Sequence, residues 1–120
     1  MTTHSMGLNS GPFEAIRSGA KTIELRLYDE KRRRIRPGDR IVFTDTADES
    51  RTLTADVREL LVFPSFEELY AALPLTACGY SEAELPGASP RDMEIYYSPE
   101  QQRRYGVVGI VLAPISAEQG

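Results

Sequence analysis

Lys21, Glu24 and Arg26 stand close together in the stretch Gly19-Ala20-Lys21-Thr22-Ile23-Glu24-Leu25-Arg26-Leu27. An ammonium on a flexible stem can hold a phosphate, or act as a base if burial lowers its pKa. A carboxylate accepts hydrogen bonds from amines, and a guanidinium offers a planar fork to a phosphate or a carbonyl edge. The same trio is also the composition of a structural ion-pair network, which would itself shift pKa values. Just beyond it runs Lys31-Arg32-Arg33-Arg34-Ile35-Arg36, closed by Pro37-Gly38-Asp39.

This cationic run lies in an acidic protein. The 120 residues hold 14 Lys+Arg against 18 Asp+Glu, a formal charge of −4. Residues 26–40 contain seven basic side chains and three acidic ones, so the rest of the chain is correspondingly more negative. Affinity for a polyanion scales with the phosphates neutralised, which argues against a fold coated by long nucleic acid. One local basic patch suits a few phosphates or a small anion, and a solubilising loop is the plainer reading. Cys78 is the only cysteine and His4 the only histidine. No internal disulfide can form, and a zinc site of His/Cys type or a histidine-based triad is excluded. No apolar run approaches the roughly 18 residues of a membrane span, and the first residues do not read as a secretory signal. A cytoplasmic location is the expectation, with no metal assigned and a divalent ion entering only if the chain is a nuclease. Cys78 reads as a semi-buried small residue rather than a nucleophile, having no histidine to activate it.

The elements that must position these groups are legible from period and punctuation. Ser10-Gly11-Pro12 starts a helix with Ser10 as its cap; Phe13 and Ile16 share a face, and Gly19 stops it in a left-handed conformation. Ile23, Leu25 and Leu27 alternate with Thr22, Glu24 and Arg26, so the polar set is expected to point together, away from the main core. Strands are expected over 39–44 and 51–62. Ser65 and Glu68 have capping-box spacing for a helix over 66–73. Short helical turns follow near 81–85 and 91–97, and Ser98-Pro99 restarts a helix. Residues 105–112 are apolar on both faces and should form the central strand. Four or five strands with short connections and a few inserted helices point to a closed or nearly closed sheet with one mouth as a cleft. The chain reads as one domain over 1–120, with 1–7 and 115–120 as flexible tails and His4 in the first of them.

Gly19-x-Lys21-Thr22-x-Glu24-x-Arg26, then Gly38-Asp39-x-Ile41-x-Phe43, then Tyr97 to Ile110, together resemble the ASCH domain family of the PUA-like group, across most of residues 8–113. The resemblance implies an α+β fold, a small PUA-like β-barrel of about five to six strands with short peripheral helices. It also implies a cleft for RNA, a nucleotide or a nucleoside; a role as an interaction module for a protein partner stays open, the acidic remainder and the loop-rich 74–96 segment being its candidates. Lys21, Thr22, Glu24 and Arg26 would line that cleft at an open, anion-attracting pocket. Arg32, Arg33 and Arg34 would reach past its mouth toward a backbone. Tyr97 and Ser98 complete the expected binding set; Tyr97 is preferred over Tyr80 and Tyr96 as a stacking surface, a contact worth about 1–3 kcal/mol per base.

Some members of the family are amidohydrolases acting on acetylated cytidine with a lysine, a threonine three residues on and a distant glutamate. Lys21 matches the lysine. Glu24 occupies the threonine position, and the glutamate position falls near Cys78, with Glu82 and Glu84 the nearest carboxylates. Lys21 and Glu24 are therefore the catalytic pair only if the chain is an enzyme, either an amidohydrolase or a ribonuclease. Binding is the leading expectation.

Overall fold

The computed structural model describes residues 1–114, so the expectation for 115–120 lies outside the described residues. Five strands form one sheet: β1 (Thr3–Leu8), β2 (Ile23–Leu27), β3 (Arg40–Asp45), β4 (Thr52–Phe63) and β5 (Val107–Leu112). Three α-helices, α1 (Ser10–Ser18), α2 (Phe66–Ala72) and α3 (Pro99–Tyr105), and 3-10 turns at Arg32–Arg34, Leu85–Gly87 and Pro90–Ile95 fill the connections. The strand order is β1-β3-β4-β5-β2. β1 runs parallel to β3, and the remaining pairs are antiparallel.

β4 is long enough to serve both halves of the sheet. Its first part pairs with β3, and after a register shift between Val57 and Glu59 its second part pairs with β5. A bulge of this kind bends the strand and adds twist, curling the sheet into a half-barrel. β5 lies between β4 and β2 and is buried on both faces, as its sequence requires. One core, around Phe13, Ile16, Ile41, Phe43, Leu53, Val108 and Ile110, fills the concave side beneath α1. A second, around Ile23, Leu25, Phe66, Leu69 and Val107, lies between the sheet and α2.

Several local expectations are corrected. Residues 3–8 are not a tail: β1 pairs along its length with β3 and buries Met6 and Leu8. His4 is held there, its Nε2 2.8 Å from Asp39 Oδ2. Asn9, not Ser10, is the cap residue of α1, because the Ser10 hydroxyl donates to buried Asp45 instead. Ser65 bonds the Glu68 carboxylate rather than a backbone N–H, so the capping box of α2 does not form. Ser98 and Gln101 do form a reciprocal box at the start of α3. Gly19 ends α1 at φ 87°, as expected of a left-handed stop.

The face of β2 is also corrected. Directly opposed residues of an antiparallel pair share a face, and Arg26 opposes Val108 while Glu24 opposes Ile110. Both partners belong to the larger core. The polar face of β2 therefore looks into the rim of the barrel rather than away from it, because curling makes that face concave.

Candidate functional site

β1 and β2 are the two edges of the half-barrel, and the seam between them opens into a cavity of about 600 Å³. That size is ordinary for a small-molecule pocket. Its floor is the ion group predicted from the sequence. Lys21 Nζ lies 2.8 Å from Glu24 Oε1, and Arg26 Nε donates to Glu24 Oε2 at 2.7 Å. All three side chains are largely buried. Arg26 Nη2 also donates to the Gly7 carbonyl at 2.7 Å, so one guanidinium links β2 to β1 across the seam.

The chain arrives at this geometry through short anchors. Beyond the Gly19 stop, the Lys21 amide donates to the Ala15 carbonyl, and the Thr22 and Ile23 amides both donate to Ala77. Gly79, at φ 115°, lies against the Lys21 stem; a Cβ there would stand 3.3 Å from Lys21 Cδ. Burial pushes the Glu24 carboxyl up, but the Lys21 and Arg26 charges and hydrogen bonds outweigh it and hold the group below the usual carboxylate range. Glu24 is thus a fixed anion with lone pairs to spare. Its conjugate acid is too strong for it to serve well as a general base near neutral pH.

The walls are aromatic and apolar: Leu25, Tyr70, Tyr80, Met93, Tyr96 and Tyr97 are prominent among them. Tyr80 donates to Asp92 Oδ2 at 2.7 Å, which leaves Tyr70 to donate to the Tyr80 oxygen, also at 2.7 Å. Burial and the bond to the Asp92 carboxylate push the Tyr80 hydroxyl well above its ordinary pKa, and burial does the same to Tyr70. Asp92 further closes the capping box that starts the 3-10 turn Pro90–Ile95. Tyr97 stacks on Phe66 with ring centroids 6.1 Å apart. Buried Gln102 ties this wall down, accepting from the Phe66 amide and donating to the Tyr97 carbonyl. Burial pushes the Cys78 thiol at the cavity edge up to about 11, so it is a poor nucleophile at neutral pH.

Of the residues predicted from sequence, Lys21, Glu24, Arg26 and Tyr97 line the cavity. Thr22, Ser98, Arg32, Arg33 and Arg34 are not in its lining. Ser98 spends its hydroxyl on the Gln101 amide. Arg32 is paired with Asp29 at 2.9 Å, and Arg33 reaches the Tyr105 carbonyl. The pocket also differs in sign from the one expected. Glu84 and Asp92 join Glu24, so three carboxylates face two cations, and the lining is not a general anion trap. Tyr70, Asp92 and Met93 were not singled out from the sequence. They lie 44 or more positions beyond Arg26, and no local period links the segments. Among the described residues no three His, Cys, Asp or Glu side chains cluster as a metal site, and no helix is long and apolar enough to cross a membrane.

A family model described as the ASCH domain matches residues 6–116. Among solved structures, the chain is similar to the hypothetical protein PH0355, at 34% identity and a TM-score of 0.78, covering 95% of this chain and 100% of that one. It is similar to protein PF0455 from Pyrococcus furiosus at 34% identity and a TM-score of 0.67, covering 94% and 97%. An ASCH protein from Zymomonas mobilis shares the fold at 20% identity and a TM-score of 0.63, covering 98% of this chain and 76% of that chain. No curated protein matches.

Proposed function

The chain belongs to the ASCH domain family, and from that premise we propose that its seam cavity binds one unpaired nucleobase, as a nucleoside or as part of an RNA strand. The observation that supports this reading is the pairing of a flat-walled aromatic pocket with a polar floor of fixed donors and acceptors. Tyr97, Tyr96 and Met93 offer apolar surface for a ring. Lys21 and Arg26 retain N–H groups beyond those given to Glu24, and Glu24 retains acceptor capacity for an exocyclic amine. With three carboxylates against two cations in the lining, a phosphate is better placed outside the cavity than within it.

Hydrolysis of RNA or of acetylated cytidine is the alternative reading, with Lys21 and Glu24 as the working pair. The depressed carboxyl of Glu24 weighs against it. Titration of the four ribonucleosides and of a short single-stranded RNA, monitored by calorimetry, tests the proposal. Binding weakened at least tenfold by Tyr97→Ala and by Lys21→Met is the expected result. Absence of binding to every nucleoside and to the RNA at millimolar concentration would overturn it. Product formation from acetylated cytidine or RNA that disappears in Lys21→Met would move the assignment to the hydrolase.

A further inference from the structure

The tertiary structure joins two arginine-bearing segments that the sequence keeps about seventy residues apart. Arg33 Nη2 donates to the Tyr105 carbonyl at 2.9 Å, and its guanidinium lies over the Tyr28 ring, 4.4 Å from the centroid. Arg104 lies over the Tyr105 ring at 5.3 Å. The two arginines thus flank one tyrosine, with Lys31 and Arg34 close in sequence to the first and Arg103 next in sequence to the second. All five cations are exposed.

Arg17, Arg32, Arg40 and Arg51 each stand within salt-bridge distance of a carboxylate. Among the described residues none of the five patch cations does, a state shared with Arg36, Arg58 and Arg91; what sets the five apart is that the fold brings their two segments together at Tyr105. Asp29 is spent on Arg32, while exposed Glu30 and Glu100, near the two segments in sequence, make no salt bridge with them. In a chain of net charge −4, carboxylates are plentiful. A cluster of cations left unpaired keeps its field for an outside anion.

The patch also has a defined relation to the cavity. β2 leaves the cavity at Glu24 and Arg26 and leads to Tyr28; α3 follows Tyr97 on the cavity wall and ends at Tyr105. Tyr28 and Gly106 are joined by a backbone hydrogen bond, so the ends of strand and helix meet at the patch. The seven residues of α3 span roughly 10 Å at 1.5 Å each. We propose that Lys31, Arg33, Arg34, Arg103 and Arg104 form a phosphate-contacting surface for the backbone of a single-stranded RNA, adjacent to the cavity and separate from it. This rests on the reading that the cavity takes a base of the same strand.

The test uses the intact protein, a fluorescein-labelled 12-nucleotide single-stranded RNA of mixed sequence, the four ribonucleosides, and vesicles containing phosphatidylserine. The first variant is Arg34→Gln with Arg103→Gln, side chains without a hydrogen bond to the described residues; the second adds Arg33→Gln and Arg104→Gln. Melting temperatures check that both fold. RNA affinity is expected to fall at least tenfold in the second variant, with nucleoside affinity unchanged. The slope of log affinity against log salt should shrink by about 0.7 for each phosphate no longer neutralised. Unchanged RNA affinity and slope in a folded second variant would overturn the proposal. So would vesicle binding abolished in the variants while RNA binding is kept. If no nucleoside binds but the RNA does, with a slope that falls in the variants, the surface stands and the cavity reading fails.

Discussion

At the scale of single residues, Glu24 is the group on which most depends. It is a buried anion between two largely buried cations, so removing its charge strands both. Glu24→Gln is expected to cost about 3–5 kcal/mol in chemical denaturation, the usual result of breaking a buried ion pair from one side. Lys21→Met should cost less, since Arg26 still pairs with the carboxylate. Asp39 offers a pH-dependent check elsewhere. Its carboxylate accepts from His4, the Thr2 amide and the Arg36 amide, which lower its pKa from 3.8 to about 2. The folded-state value is depressed, so the stabilisation is fully present above about pH 4 and is lost as pH falls through about 2. Urea titrations at pH 5, 3 and 2 should show a decline in stability that is smaller in Asp39→Asn.

At the scale of elements, the joint between α3 and β5 is the most demanding. Gly106 adopts φ 75° and ψ −178°, a region essentially reserved for glycine. A Cβ there would stand 3.1 Å from the Phe63 carbonyl oxygen, whereas one at Gly19 would meet nothing within 4 Å. Gly106→Ala should therefore destabilise the protein more than Gly19→Ala, since each carries a backbone cost of about 1–3 kcal/mol and only Gly106 adds the crowding against Phe63. Thermal melts of the two variants make the comparison. The element pattern itself was largely legible: Gly19, the alternation of Ile23, Leu25 and Leu27, and the doubly apolar Val107–Leu112 each produced the structure their chemistry requires. β1 was not legible. Thr3–Leu8 alternates weakly and carries no turn signal before it, and its strand character comes from pairing with β3.

At the scale of the whole molecule, the half-barrel has one open seam, and Arg26 spans it. β1 is both an edge of the sheet and a wall of the cavity through Gly7 and Leu8. Deleting residues 1–8 is expected to remove the burial of Met6 and Leu8, worth about 1.5–3 kcal/mol each, together with the β1–β3 ladder. Against a typical total stability of about 5–15 kcal/mol, the truncated chain should melt far below the intact protein or fail to fold. Circular dichroism with temperature decides between these and an unchanged melt, which would place β1 outside the cooperative unit.

Local chemistry sufficed to establish the strand bearing Glu24 and Arg26, the helix stop before it, and the interior, doubly buried position of Val107–Leu112, although the middle strand of the sheet is β4. Those features depend on neighbours a few residues apart, and period and backbone preference report them directly. Three others arise only in the tertiary structure: the inward aim of the polar face of β2, the Tyr70–Tyr80–Asp92 wall, and the meeting of Arg33 with Arg104 at Tyr105. Each joins segments distant along the chain, and long-range contacts such as the β2–β5 pairing that brings Tyr28 to Gly106, rather than any local pattern, decide which of them come together.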